Sequence, residues 1–190
     1  MMLLKPAYII DELITRCKAG ERQAQELLYK QFAAKMLGVC MRYATDRMEA
    51  EDMLQNGFIK VFKKLEDYRG DGAFEGWVRR IMVHSAIEYY RKHHKMVQVM
   101  DVTEIGNEPS VNPTVMANMG VKDLMNIIRQ LSPGYKMVFN LYAIEGYSHR
   151  EIAGIVGITE GASKSQLSRA RAILKDMVLK MENKRYGYAR

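Results

Sequence analysis

Between Ser148 and Lys175 the chain reads SHREIAGIVGITEGASKSQLSRARAILK, and its charged and hydroxyl side chains are spaced for hydrogen bonding to a polyanion. Thr159 is placed to cap a helix. In that helix Ala162, Ser163, Gln166 or Leu167, Ala170 and Leu174 turn inward, while Gly161, Lys164, Ser165, Ser168 and Arg169 turn outward. Lys and Arg neutralise phosphates, and Lys, Arg and Ser reach base edges in the major groove of duplex DNA. Arg150 and Arg171 extend the basic set. From Glu160 to Arg190 there are eight basic residues against three acidic, which weights the segment toward nucleic acid.

These side chains need a short helix in front of them and a tight turn between. Ser148 and Glu151 have capping-box spacing, and Ile152, Ala153 and Val156 form an inward face. Gly157 supplies the left-handed residue that ends the helix, and Ile158 plugs the turn. A small residue at the close crossing, a Gly in the turn and a basic, Ser-rich outer face predict a helix-turn-helix whose second helix enters the major groove. A helical hairpin whose Lys and Arg merely solvate one face is the competing reading.

Other chemistries find little support. The chain has four His, no metal-ligand cluster, no Gly-rich phosphate loop and no Ser-x-x-Lys or Gly-x-Ser-x-Gly setting, so no catalytic residue, cofactor or metal is predicted. His93 and His94 are adjacent and point apart on a helix. Cys17 and Cys40 read as small core residues, and most of the 15 Met as core packing. A net charge of +7 favours a polyanionic partner. No apolar stretch reaches the roughly 20 residues of a membrane span, and MMLLKPAYII lacks a signal-peptide layout, so the expectation is a soluble, cytoplasmic protein.

Helical periodicity runs through almost the whole chain, which predicts an all-α fold of two small helical domains joined by a flexible linker. A first helix covers Tyr8 to Ala19 on Ile9, Ile10, Leu13, Ile14 and Cys17, with Gly20 as its stop. A second runs from Glu21 to about Tyr43, burying Ala24, Leu27, Leu28, Phe32, Met36, Val39 and Cys40. Asp46 and Glu49 start a third, which ends near Leu65 and turns Met53, Leu54, Phe58, Val61 and Phe62 inward. A polar loop, EDYRGDGA, precedes a fourth helix marked by Phe74, Trp77, Val78, Ile81, Met82 and Tyr89. Between Met96 and Val121 there is no Lys or Arg, Asp101, Glu104 and Glu108 are acidic, and Pro109 and Pro113 forbid a continuous helix. The predicted division is therefore 1–95, an acidic linker 96–121, and 122–190. In the last part, one helix leads to Leu131 and another opens at Ser132-Pro133 and ends at Gly146.

Two separated segments resemble the extracytoplasmic-function group of bacterial sigma factors. MEAEDMLQNGFIKVFKKLEDYRGDGAFEGWVRRIMVHSAIEYYRK is similar to the family's second conserved region, and LSPGYKMVFNLYAIEGYSHREIAGIVGITEGASKSQLSRARAILK to its fourth. The resemblance implies a first domain that docks on the RNA polymerase core and opens the minus-ten element, a second that binds the minus-thirty-five element as duplex, and a linker that threads the polymerase between them. It also implies promoter DNA as ligand and an anti-sigma factor as a common inhibitor.

The residues agree with that division of labour. Opening DNA needs aromatic faces to replace base stacking and cations to hold the backbone. Phe74 and Trp77, at helical spacing, read as core. The minus-ten candidates are Tyr68, Arg69, Arg80, His84, Glu88 and Arg91. His84 stands where many relatives carry Asn, so their promoter preference does not transfer. Glu51, Asp52, Gln55 and Phe58 lie close to one face of the third helix, an acidic-polar strip unsuited to DNA and, as the family implies, suited to a basic coiled coil of the polymerase. Compensation of the helix dipole is the plainer account of Glu51 and Asp52. The minus-thirty-five candidates are Arg150, Lys164, Ser165, Ser168, Arg169 and Arg171. An alternative function keeps the helix-turn-helix in a repressor or activator that dimerises through its N-terminal half, although no heptad seam supports it.

Overall fold

A computed structural model describes residues 6–93 and 120–186, and every regular element among them is helical. The expected linker, 96–121, lies almost wholly outside the described residues. Contacts divide the chain into two compact units, Met1–Met41 with Asp46–Tyr89, and Arg42–Thr45 with Tyr90–Arg190.

In the first unit, α1 (Pro6–Lys18) buries Leu13, Ile14 and Cys17, and turns through Gly20, at φ 80°, into α2 (Arg22–Cys40). α2 buries Ala24, Leu28, Phe32 and Met36. Leu27, expected inside, is 51% exposed. Its neighbour Leu28 already points at the centre of the unit, and the next position round the helix falls on the rim. α3 (Arg47–Lys63) starts on Asp46, whose side chain accepts the Glu49 backbone N–H at 2.8 Å, and buries Met53, Leu54, Gly57, Phe58 and Val61. A single 3₁₀ turn, Leu65–Asp67, follows before α4 (Phe74–His93), which belongs to this unit as far as Tyr89 and places Phe74, Val78 and Met82 inside.

In the second unit, α5 (Val121–Arg129) is strongly amphipathic and seats Ile127 and Ile128 against Ala170, Leu174 and Val178. α6 (Pro133–Phe139) begins with Pro at its first position. It does not continue as an α-helix to Gly146, because Asn140–Ile144 open into a π turn. Such turns are rare and frequent at functional sites. Gly146, at φ 79°, then reverses the chain into α7 (His149–Val156), and α8 (Glu160–Tyr186) is the long helix on which α5, α6 and α7 pack.

Candidate nucleic-acid interface

The α7–α8 pair is built as a helix-turn-helix down to its individual hydrogen bonds. The Ser148 hydroxyl accepts the Glu151 backbone N–H while the Glu151 carboxylate takes the Ser148 N–H at 2.8 Å. The Ser148 hydroxyl, donating to the same carboxylate at 2.7 Å, and then the Ser148 N–H hold the Glu151 carboxyl below the ordinary carboxylate range. At the other end Gly157 sits at φ 82°, and the N–H groups of Gly157 and Ile158 both reach the Ala153 carbonyl, at 2.8 and 3.1 Å. The Thr159 hydroxyl then caps α8 by accepting the Ala162 N–H at 3.0 Å. One local device therefore starts the first helix, and two more fix the tight turn between the helices.

The inner face of α8 carries Ser163, Gln166, Leu167, Ala170 and Leu174, all buried. Both Gln166 and Leu167 are inside, so the choice between them does not arise. Opposite lie Gly161, Lys164, Ser165, Ser168 and Ala172. At about 100° per residue, Arg169 and Arg171 flank that strip on opposite sides. Small and hydroxyl side chains in the middle with a guanidinium on each edge suit a groove, whose bases lie centrally and whose phosphates run along both walls. Arg150 is exposed on α7, and Lys164 pairs with Glu160 at 2.8 Å, an exposed pair that a phosphate can replace at little cost.

Tyr142 and His149 were not singled out by sequence reasoning. The Tyr142 ring, projected from the π turn, stacks on the His149 imidazole with centroids 4.6 Å apart and planes 22° apart. His149 Nδ1 lies 2.9 Å from the hydroxyl of Ser163, and the Arg171 guanidinium lies over the Tyr142 ring at 5.7 Å. Burial, and then the charge of Lys164, lowers the His149 pKa below the usual imidazole value. The only prior signal was the i, i+7 separation of the two residues across a glycine turn, which carries no information by itself.

The minus-ten candidates fall into two groups, on α4 and on the loop before it. Arg80, His84, Glu88 and Arg91, spaced four, four and three residues apart, are all exposed on one face of α4. Lys60 of α3 meets Glu88 there in an ion pair. Burial and the neighbouring Arg80 lower the His84 pKa below the usual imidazole value. Arg69 is exposed in the loop between α3 and α4. Tyr68 is not a free stacking platform. Its hydroxyl donates to the Gly72 carbonyl at 2.7 Å, and its ring packs on Phe74 and Trp77 at 5.0 and 5.4 Å. Phe74 is buried and Trp77 half-buried.

On α3, Asp52 and Gln55 are exposed and Glu51 is half-buried beside Arg47 at 2.7 Å. Phe58 departs from the expected strip: it is 3% exposed, with its ring on Tyr29 at 4.7 Å, so it supports the helix from inside and offers no surface. Met48 and Ile59, 73% and 51% exposed, share the face of Asp52 and Gln55 at helical spacing. A cleft of about 360 Å³, floored by Ala33, Ala34, Leu37 and Leu54, opens between α2 and α3 with Glu51 and Gln55 on its rim. The described residues hold no group of three His, Cys, Asp or Glu able to bind a metal, and no helix among them is long and apolar enough to cross a membrane.

Residues 28–96 match the family model of Sigma-70 region 2, and residues 122–174 that of Sigma-70, region 4. The chain is 28% identical over 172 residues to the RNA polymerase sigma-H factor of Pseudomonas aeruginosa, covering 85% of this chain and 89% of that protein. It is 25% identical over 177 residues to the ECF RNA polymerase sigma-E factor of Haemophilus influenzae, covering 87% and 93%. Among solved structures, the sigma factor RpoE in complex with the anti-sigma factor NepR from Bartonella quintana aligns with a TM-score of 0.47 at 22% identity, over 82% of this chain and 96% of that one.

Proposed function

The chain belongs to the sigma-70 family, in its extracytoplasmic-function group, and from that premise we propose that it joins the RNA polymerase core and directs promoter-specific initiation. The observation that carries this reading is the pairing of a complete helix-turn-helix, basic on its outer face, with a separate unit matching region 2. A repressor or activator that dimerises through its N-terminal half has no need of a unit matching region 2.

In this reading, α8 lies in the major groove of the upstream element, with Lys164, Ser165 and Ser168 toward the bases and Arg150, Arg169 and Arg171 toward phosphates. The exposed face of α4, with Arg80, His84, Glu88 and Arg91, and the loop residue Arg69 hold the opened minus-ten strand. Tyr68 braces that loop. Asp52 and Gln55, with Glu51 beside them and Met48 and Ile59 at the ends, dock on the polymerase. The segment 96–121 threads the enzyme between the two domains, 1–95 and 122–190. The protein works as a non-catalytic specificity subunit in the cytoplasm, and an anti-sigma factor inhibits it by covering the α3 strip or the DNA faces.

The test is transcription in vitro from a candidate promoter, with core polymerase, in the presence and absence of the chain. A promoter-specific transcript that requires the chain is expected. No such transcript, together with specific duplex binding by the chain alone, would establish a repressor or activator instead.

A further inference from the structure

A network of three side chains ties together the π turn, α7 and α8. Tyr142 comes from the π turn, His149 is the first residue of α7, and Ser163 stands on the first turn of α8, immediately before Lys164 and Ser165. Ser163 is fully buried, so its hydroxyl is fixed in place, and its contact with His149 Nδ1 at 2.9 Å defines the angle between the two helices at this point. The imidazole cannot tilt away, because its face lies on the Tyr142 ring. Apolar packing elsewhere between the helices is non-directional and tolerates small rotations, whereas a hydrogen bond and a ring stack resist them.

We propose that Tyr142, His149 and Ser163 form a latch that sets the rotation of the recognition helix, with His149 as its positioning residue. The latch rests on the reading of α8 as the upstream-element reader and adds the source of its precision. A rotation of α8 by a few tens of degrees would swing Lys164, Ser165 and Ser168 off the base edges while leaving Arg150, Arg169 and Arg171 within reach of the flexible phosphate walls. The latch therefore governs discrimination between sequences more than overall affinity for DNA.

The test uses the full chain and two duplexes, one carrying the sequence enriched from a randomised pool by the wild-type protein and one scrambled. His149→Ala, Ser163→Ala and the double variant are compared once melting has shown each to be folded. The expected result is a fall of about tenfold in the ratio of specific to scrambled binding for either single variant. The double variant falls no further, because both changes open one contact, and scrambled-duplex affinity and its salt dependence stay unchanged. An unchanged ratio would overturn the latch. So would a loss of affinity for both duplexes with a shallower salt dependence, which would make His149 a phosphate contact. If the wild-type chain enriches no sequence at all, the reading of α8 as a DNA reader fails, and the latch with it.

Discussion

Gly57 on α3 and Met82 on α4 meet so closely that a Cβ added to Gly57 would overlap the Met82 sulfur. Met82 is fully buried, so its flexible thioether must repack among its neighbours to make room. Gly57→Ala is expected to lower stability by about 1–3 kcal/mol, the usual cost of overpacking a close contact, and urea denaturation of the full chain reads it directly.

Phe58 and Asp52 separate folding from docking. Phe58→Ala empties a buried site beside Tyr29 and is expected to cost about 3–5 kcal/mol. Asp52→Lys changes an exposed residue and should leave stability within about 0.5 kcal/mol, while abolishing the greater part of binding to core polymerase in a pull-down or anisotropy titration. Retained core binding by a folded Asp52→Lys chain would remove α3 from the interface.

On α8, single replacements of Lys164, Ser165 and Ser168 by Ala should each weaken upstream-element binding, by about 1–3 kcal/mol where a base contact is lost. Arg171→Ala should instead weaken specific and scrambled duplexes alike and reduce the slope of log affinity against log salt by about one. Unchanged affinity for the Lys164, Ser165 and Ser168 variants would place the reading face elsewhere.

Acid should destabilise the second unit through His149. Its folded pKa lies below the unfolded value, so the unfolded state binds more protons in the window from about 6.5 downward to the lowered value. Its contribution is complete above that window and is lost as pH falls through it. Lys164 and Arg171 oppose the proton, and Glu160 alone favours it. Denaturation midpoints at about pH 7.5 and about pH 5.5 should therefore differ less in His149→Gln than in wild type.

The helices and the helix-turn-helix were legible from short-range rules. Ser148 with Glu151, Gly157 and Thr159 each act within a few residues, and spacing in the chain is enough to identify them. Leu27 was misplaced for the opposite reason, and Phe58, turned inward by its helical spacing as found, was also set in the outer strip. Which of two adjacent leucines turns inward, and whether Tyr29 covers a ring on the next helix, depend on neighbours that sequence spacing does not contain. The π turn at Asn140–Ile144 has no residue signature, so the stacking of Tyr142 on His149 that it permits was invisible. On α4, by contrast, Arg80, His84, Glu88 and Arg91 came to one face because helical periodicity alone places them there.

The central claim, that polymerase and this chain together open a promoter, is tested most directly by permanganate reactivity of thymines across a promoter duplex. Reactive thymines should appear in the minus-ten element only when core polymerase and the chain are both present, and should disappear with Asp52→Lys. A duplex that stays unreactive with both components, while the chain alone protects a specific site, would contradict the account.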